Sequence, residues 1–65
     1  MAIAKVIEII AEGDTVDGAL QAAVSEASKT VRNIKSVYVE GFQALVEDDA
    51  ITAVRLNAKV TFVVG

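Results

Sequence analysis

Residues 51–64 read ITAVRLNAKVTFVV. Within them Val54, Leu56, Ala58, Val60, Phe62 and Val64 alternate with Ala53, Arg55, Asn57, Lys59 and Thr61. A two-residue period sends the two sets to opposite faces of one strand. Just upstream, Glu47, Asp48, Asp49 and Ala50 form a tight turn in which Asp49 tolerates the left-handed backbone. Before the turn, residues 36–47 (SVYVEGFQALVE) return to strand chemistry, and Gly41 in their middle predicts a bulge or bend. The C-terminal half is therefore a long hairpin.

The segment feeding this hairpin has a different period. Between Thr15 and about Asn33, Val16, Leu20, Ala23, Val24, Ala27, Val31 and Ile34 recur at steps of three and four, which is one helical stripe. Gln21, Ser25, Ser28, Lys29 and Arg32 fall on the opposite face. Asp14 or Thr15 can cap the N-terminus, with Asp17 favoured by the dipole in the first turn. Lys29, Arg32 and Lys35 suit the negative pole at the other end, and Asn33 is the expected stop.

Residues 2–11 (AIAKVIEIIA) are β-branched and mostly apolar, a first strand broken by Glu12, Gly13 and Asp14. The order is strand, helix, strand, strand, in one domain spanning residues 1–65. The fold class is α+β.

Sixty-five residues bury only about 60% of the surface that the unfolded chain exposes. Domains this small gain stability from disulfides, metals or association, and there is no Cys and no His here. Yet 54% of the residues are hydrophobic, more than one helix on one sheet can hide. The expected partner is the chain itself, in a homo-oligomer. No Pro interrupts the strands, which leaves their edges open to pairing.

A net charge of −3, with the six basic residues scattered, disfavours nucleic acid. No apolar run approaches the roughly 20 residues that cross a bilayer, and no signal-peptide pattern opens the chain, so it reads as cytoplasmic. Without His or Cys, and with no activating neighbour beside Ser25, Ser28, Ser36 or the threonines, it reads as a non-enzyme. Gly13, Gly18, Gly41 and Gly65 match no phosphate-loop spacing. Gly18, costly inside a helix, marks the close approach of another backbone at an interface. Two acidic groups, Glu12, Asp14 and Asp17 and then Glu47, Asp48 and Asp49, offer oxygen ligands for calcium, or solvated turns.

KVIEIIAEG (5–13), SEASKTVRNIKS (25–36), SVYVEGF (36–42), the acidic turn and VRLNAKVTFVV (54–64), taken in order, resemble the dodecins over essentially the whole chain. The resemblance implies a β-α-β-β subunit whose three-stranded antiparallel sheet wraps one helix. It also implies a hollow homododecamer of cubic symmetry built from trimers, and a binding or storage role without turnover. One branch of the family binds riboflavin, lumichrome or flavin mononucleotide (FMN) between Trp side chains, with a Gln on the last strand. Some members bind calcium.

The chain departs from that flavin-binding pattern at both positions. Ser36 holds the place of the Trp and Arg55 that of the Gln. Without an indole there is no wide aromatic face for a flavin. The candidate ligand residues are thus Ser36, Tyr38, Arg55 and Asn57 at subunit interfaces, for a small planar or anionic ligand. Arg55 can lie over a ring or grip a phosphate, or it can salt-bridge Glu40 or a neighbouring subunit. Tyr38 offers an edge-on ring contact or ordinary interface packing. The alternative is a structural or calcium-binding shell that takes no flavin.

Overall fold

The computed structural model describes residues 3–64. Strand β1 (Ile3–Gly13), helix α1 (Val16–Ala27), strand β2 (Ile34–Glu47) and strand β3 (Ala50–Val64) follow one another. All pairing is antiparallel and the order is β1-β3-β2, so the last strand is central and the other two are edges. The fold is the α+β, β-α-β-β arrangement that the sequence implies. Ala2, placed in the first strand by sequence, lies outside the described residues.

The alternation in β3 sets the core. Leu56, Ala58, Val60 and Phe62 are buried beneath the helix, joined by Ala11 of β1 and by Ala19, Ala23 and Ala27 of α1. Three alanines at a spacing of four form the helix's contact face, which lets its backbone lie close to the sheet. The expected stripe is therefore rotated. Ala19 is in it, Val16 is exposed, and Leu20 and Val24 are half-buried on its flank. The weak apolar signal of alanine hid the true centre.

The helix also ends earlier than the spacing predicts, at Ala27 rather than near Asn33. Beyond it, Lys29 and Thr30 donate to carbonyls three residues back, tightening the final turn. The Ser28 hydroxyl donates to the Ser25 carbonyl at 2.8 Å and Thr30 to that of Ala27 at 3.4 Å. Such side chains compete with continued helix. Lys29, Arg32 and Lys35 consequently lie outside the last helical turn. Asn33 does adopt the left-handed conformation, with φ 61°, but at the entry to β2. Its carbonyl accepts from the Val63 amide at 3.1 Å.

At the other end Thr15 is the cap, its hydroxyl accepting from the Gly18 amide at 3.0 Å. Glu12 and Gly13 do not break β1 as expected, because they still pair with Arg55 and Val54 of β3. The hairpin turns on Asp48 and Asp49, both left-handed with φ 50° and 65°. Register shifts occur between Val39 and Gly41, where the sequence expects a bulge, and also at Ile34/Ser36 and Leu45/Val46.

The helix, about 18 Å long at 1.5 Å per residue, covers only the middle of a molecule 52 Å long. It packs on β1 and β3 and scarcely touches β2. A groove of about 360 Å³ opens there, lined by Asp17, Leu20, Gln21, Val24 and Val37.

Candidate functional site

The pairing in the sheet places the four candidate ligand residues. On β2, Ser36 stands opposite Thr61 and Tyr38 opposite Lys59. On β3, Asn57 stands opposite Gly41 and Arg55 opposite Gln43. Opposed residues share a face, and Thr61, Lys59, Asn57 and Arg55 alternate with the buried β3 residues, so all four candidates face away from the helix. They do not line the groove beside α1. Ser36 and Arg55 are about 20 Å apart along the strands. One chain therefore brings Tyr38 near Asn57 but spreads the full set along a strip.

That strip has an ordered charge pattern. Arg55 donates through Nε at 2.8 Å and Nη2 at 2.6 Å to one carboxylate oxygen of Glu12, its partner across the β1–β3 ladder. The expected Glu40 partner is thereby corrected. Glu40 is the extra residue of the Val39/Gly41 bulge and binds the Lys59 ammonium at 2.7 Å. The hydrogen bond and charge of Glu40 raise the Lys59 pKa above the ordinary lysine value. Partial desolvation opposes this and Glu8, opposite Lys59 on β1, adds to it.

Arg55 is about half exposed and held by a carboxylate, with Gln43 beside it. Gln43, Lys59 and Glu8 belong to this face and were not singled out from sequence. The signal that finds them is the register, which the bulges at Thr52 and Glu40 conceal for Gln43 on β2, while Glu8 follows from the unbroken β1–β3 pairing. Around the charges lie exposed apolar side chains: Val6 (53%), Ile10 (69%) and Tyr38 (66%). Exposed apolar surface is thus interleaved with paired charges on this face.

The acidic residues fall at one end of the molecule, because the close of β1, the start of α1 and the β2–β3 turn all lie there. Among the described residues no three carboxylates converge to hold a metal ion within one chain. Glu12 is engaged by Arg55. Asp14, Asp17, Glu47, Asp48 and Asp49 are exposed. No helix of the described residues is long and apolar enough to cross a membrane.

No curated protein matches the sequence. Among solved structures, an arginine-to-alanine variant of dodecin from Thermus thermophilus superposes with a TM-score of 0.91 at 20% identity, over 100% of this chain and 98% of that one. Dodecin from Streptomyces coelicolor gives 0.89 at 26% identity, over 98% and 93%. Dodecin from Streptomyces davaonensis gives 0.89 at 23% identity, over 98% and 96%. The family model for dodecin matches residues 3–65. With the family's strand order and its single helix already in place, that match over nearly the full length decides the assignment, and the chain belongs to the dodecin family.

Proposed function

We propose that the chain, as a single domain over residues 1–65, forms a hollow homododecameric shell of trimers in the cytoplasm. The shell binds or stores a small planar or anionic molecule without turning it over. The observation that carries this reading is the face of the sheet turned away from the helix. Ser36, Tyr38, Asn57 and Arg55 share it with exposed Val6 and Ile10. A face this apolar is covered in a stable particle, and a ligand enclosed there meets Tyr38 and the Arg55–Glu12 pair.

Ser36 offers no ring on which an isoalloxazine can stack, so riboflavin and FMN are expected to bind weakly. Size-exclusion chromatography with light scattering tests the shell, and a monomer or dimer at micromolar concentration sinks it. Fluorescence quenching of riboflavin and FMN tests the ligand class separately.

A second reading rests on the engagement of Arg55 by Glu12 and on the five exposed carboxylates at the acidic end. In it the shell is structural or holds calcium, with Glu12, Asp14, Asp17, Glu47, Asp48 and Asp49 completed as ligand sets only between copies. Calorimetric titration that finds tight calcium binding and no flavin response favours it.

A further inference from the structure

The helix does not lie centrally on its sheet. Gly13, lacking a Cβ, lets the start of α1 come down onto β1, where the Ala19 backbone rests against it. Ala19, Ala23 and Ala27 then hold the helix close to β1 and β3. The side toward β2 is consequently left as a wedge. Its floor is Val37, which stands opposite buried Val60 and so faces the helix. Its wall is the flank of α1, where Leu20 and Val24 are half-buried. The space between them, about 360 Å³, is of the size that a small organic molecule occupies.

The polar rim of this groove has one sign. Asp17 and Gln21 stand one helical turn apart on the wall, neighbours at the (i, i+4) spacing. Gln21 donates through Nε2 to the Ser25 hydroxyl at 3.3 Å, which leaves its amide oxygen as an acceptor. The ion pairs among the described residues join Lys29 to Glu26, Arg55 to Glu12 and Lys59 to Glu40, and none of them engages Asp17. No Lys or Arg lines the groove. It therefore offers a carboxylate and an amide oxygen above three aliphatic side chains.

We propose that the groove binds a small organic cation, a primary ammonium carried on a short apolar body. An ammonium has three donors, enough to meet the Asp17 carboxylate and the Gln21 oxygen together. The apolar body then lies between Leu20, Val24 and Val37. Asp17 repels an anion, and a wholly apolar ligand leaves both acceptors unpaired, so charge selects the cation. The groove is on the helix side of the sheet, whereas Ser36, Tyr38, Asn57 and Arg55 face the other way. The two sites are separate, and either can fail alone.

Phenethylammonium is the probe, compared with hydrocinnamate, of similar shape and opposite charge, and with neutral phenethyl alcohol. The assembled protein, labelled in its Leu and Val methyl groups, is titrated with each and followed by nuclear magnetic resonance. Saturable shifts are expected at Leu20, Val24 and Val37 and not at Val6 on the far face. The expected Kd of the ammonium is about 1 mM, ordinary for so small a ligand. Asp17→Asn is expected to weaken it about tenfold, the loss of a charge-assisted hydrogen bond. Glu26→Gln, which removes the same charge from the same helix outside the groove, is expected to leave it within about twofold.

No shift of the three methyl groups at about 10 mM ammonium, or an Asp17→Asn chain that binds like the parent, overturns the proposal. Hydrocinnamate that binds as tightly as the ammonium also overturns it. Phenethyl alcohol that does so overturns it too, and assigns the groove to an apolar partner. If Asp17→Asn loses its helical circular dichroism, the unaltered chain decides. Its ammonium affinity is expected to fall severalfold from about 0.05 to about 0.5 M salt, and indifference to salt overturns the proposal. A soluble paramagnetic agent that fails to broaden the Leu20 and Val24 methyl groups would show a second copy covering the groove, which overturns it as well.

Discussion

Gly13 and Ala19 meet backbone to backbone: a Cβ added at Gly13 would stand 2.6 Å from the Ala19 amide nitrogen and 2.9 Å from the Gly18 carbonyl carbon. Neither atom is the end of a flexible side chain, so the strand and the helix would have to part. Gly13→Ala is expected to destabilise the fold by about 1–3 kcal/mol through overpacking. Gly41→Ala, where an added Cβ meets nothing within 4 Å, is expected to fall within about 0.5 kcal/mol of the parent. Thermal unfolding of both at one matched protein concentration checks the contrast, since oligomers unfold at concentration-dependent temperatures. Equal losses would remove the helix–strand contact as the cause.

Thr15 caps a helix of only three turns, and its hydroxyl satisfies the Gly18 amide. Thr15→Ala is expected to cost about 1 kcal/mol, while Thr15→Ser, which retains the acceptor, costs little. Urea unfolding monitored by helical circular dichroism separates them. A serine variant as weak as the alanine variant would point to lost packing of the methyl group instead.

The legible part of the fold is the part in which one strong period governs. The alternation in β3 separates the face that holds the buried Leu56, Ala58, Val60 and Phe62, although Val54 is half-buried and Val64 exposed at its ends, and Gly41 and Asp49 mark the bulge and the turn. The helix was harder to read because Val31 and Ile34 extend its apolar spacing past the point where Ser28 and Thr30 turn their hydroxyls onto the backbone. Gly18 marks, by its cost in a helix, an approach of another backbone at an interface; within the chain its added Cβ meets only the capping hydroxyl of Thr15 at 3.2 Å. The Lys59–Glu40 pair is hidden by a single-residue bulge in β2, whereas Arg55–Glu12 follows from the unbroken β1–β3 register, which the sequence does not state. Register decides why Arg55 finds Glu12 and why Glu40 finds Lys59. Ser36, Tyr38, Asn57 and Arg55 share a face for the same reason, and what they hold depends on contacts between copies that one chain does not contain.

Lys59 provides a pH test with a defined sign. Its folded-state pKa is raised by Glu40, so the pair contributes in full below the unfolded lysine value of about 10.4 and is lost as pH rises through the higher folded value. The stability difference between the parent and Lys59→Met is expected to stay constant from pH 7 to about 9.5 and to vanish at more alkaline pH. Denaturant midpoints measured across that window check this. A difference that persists well above both values would mean that Lys59 acts through its aliphatic stem rather than its charge.

Ser36 lies on the face turned away from the helix, exposed and opposite Thr61, two residues from Tyr38. If flavin binding is limited by the missing ring, Ser36→Trp restores a stacking surface without disturbing the core, because Ser36 is not part of it. The variant is expected to bind riboflavin at least about tenfold more tightly than the parent, the gain expected from one well-placed aromatic contact of about 1.5 kcal/mol. Adding Arg55→Gln would replace the charged group held by Glu12 with a neutral hydrogen-bonding one, and a further gain would place Arg55 beside the ligand. Quenching of riboflavin fluorescence measures each step. An assembled Ser36→Trp variant that quenches no better than the parent would show that position 36 does not face the ligand.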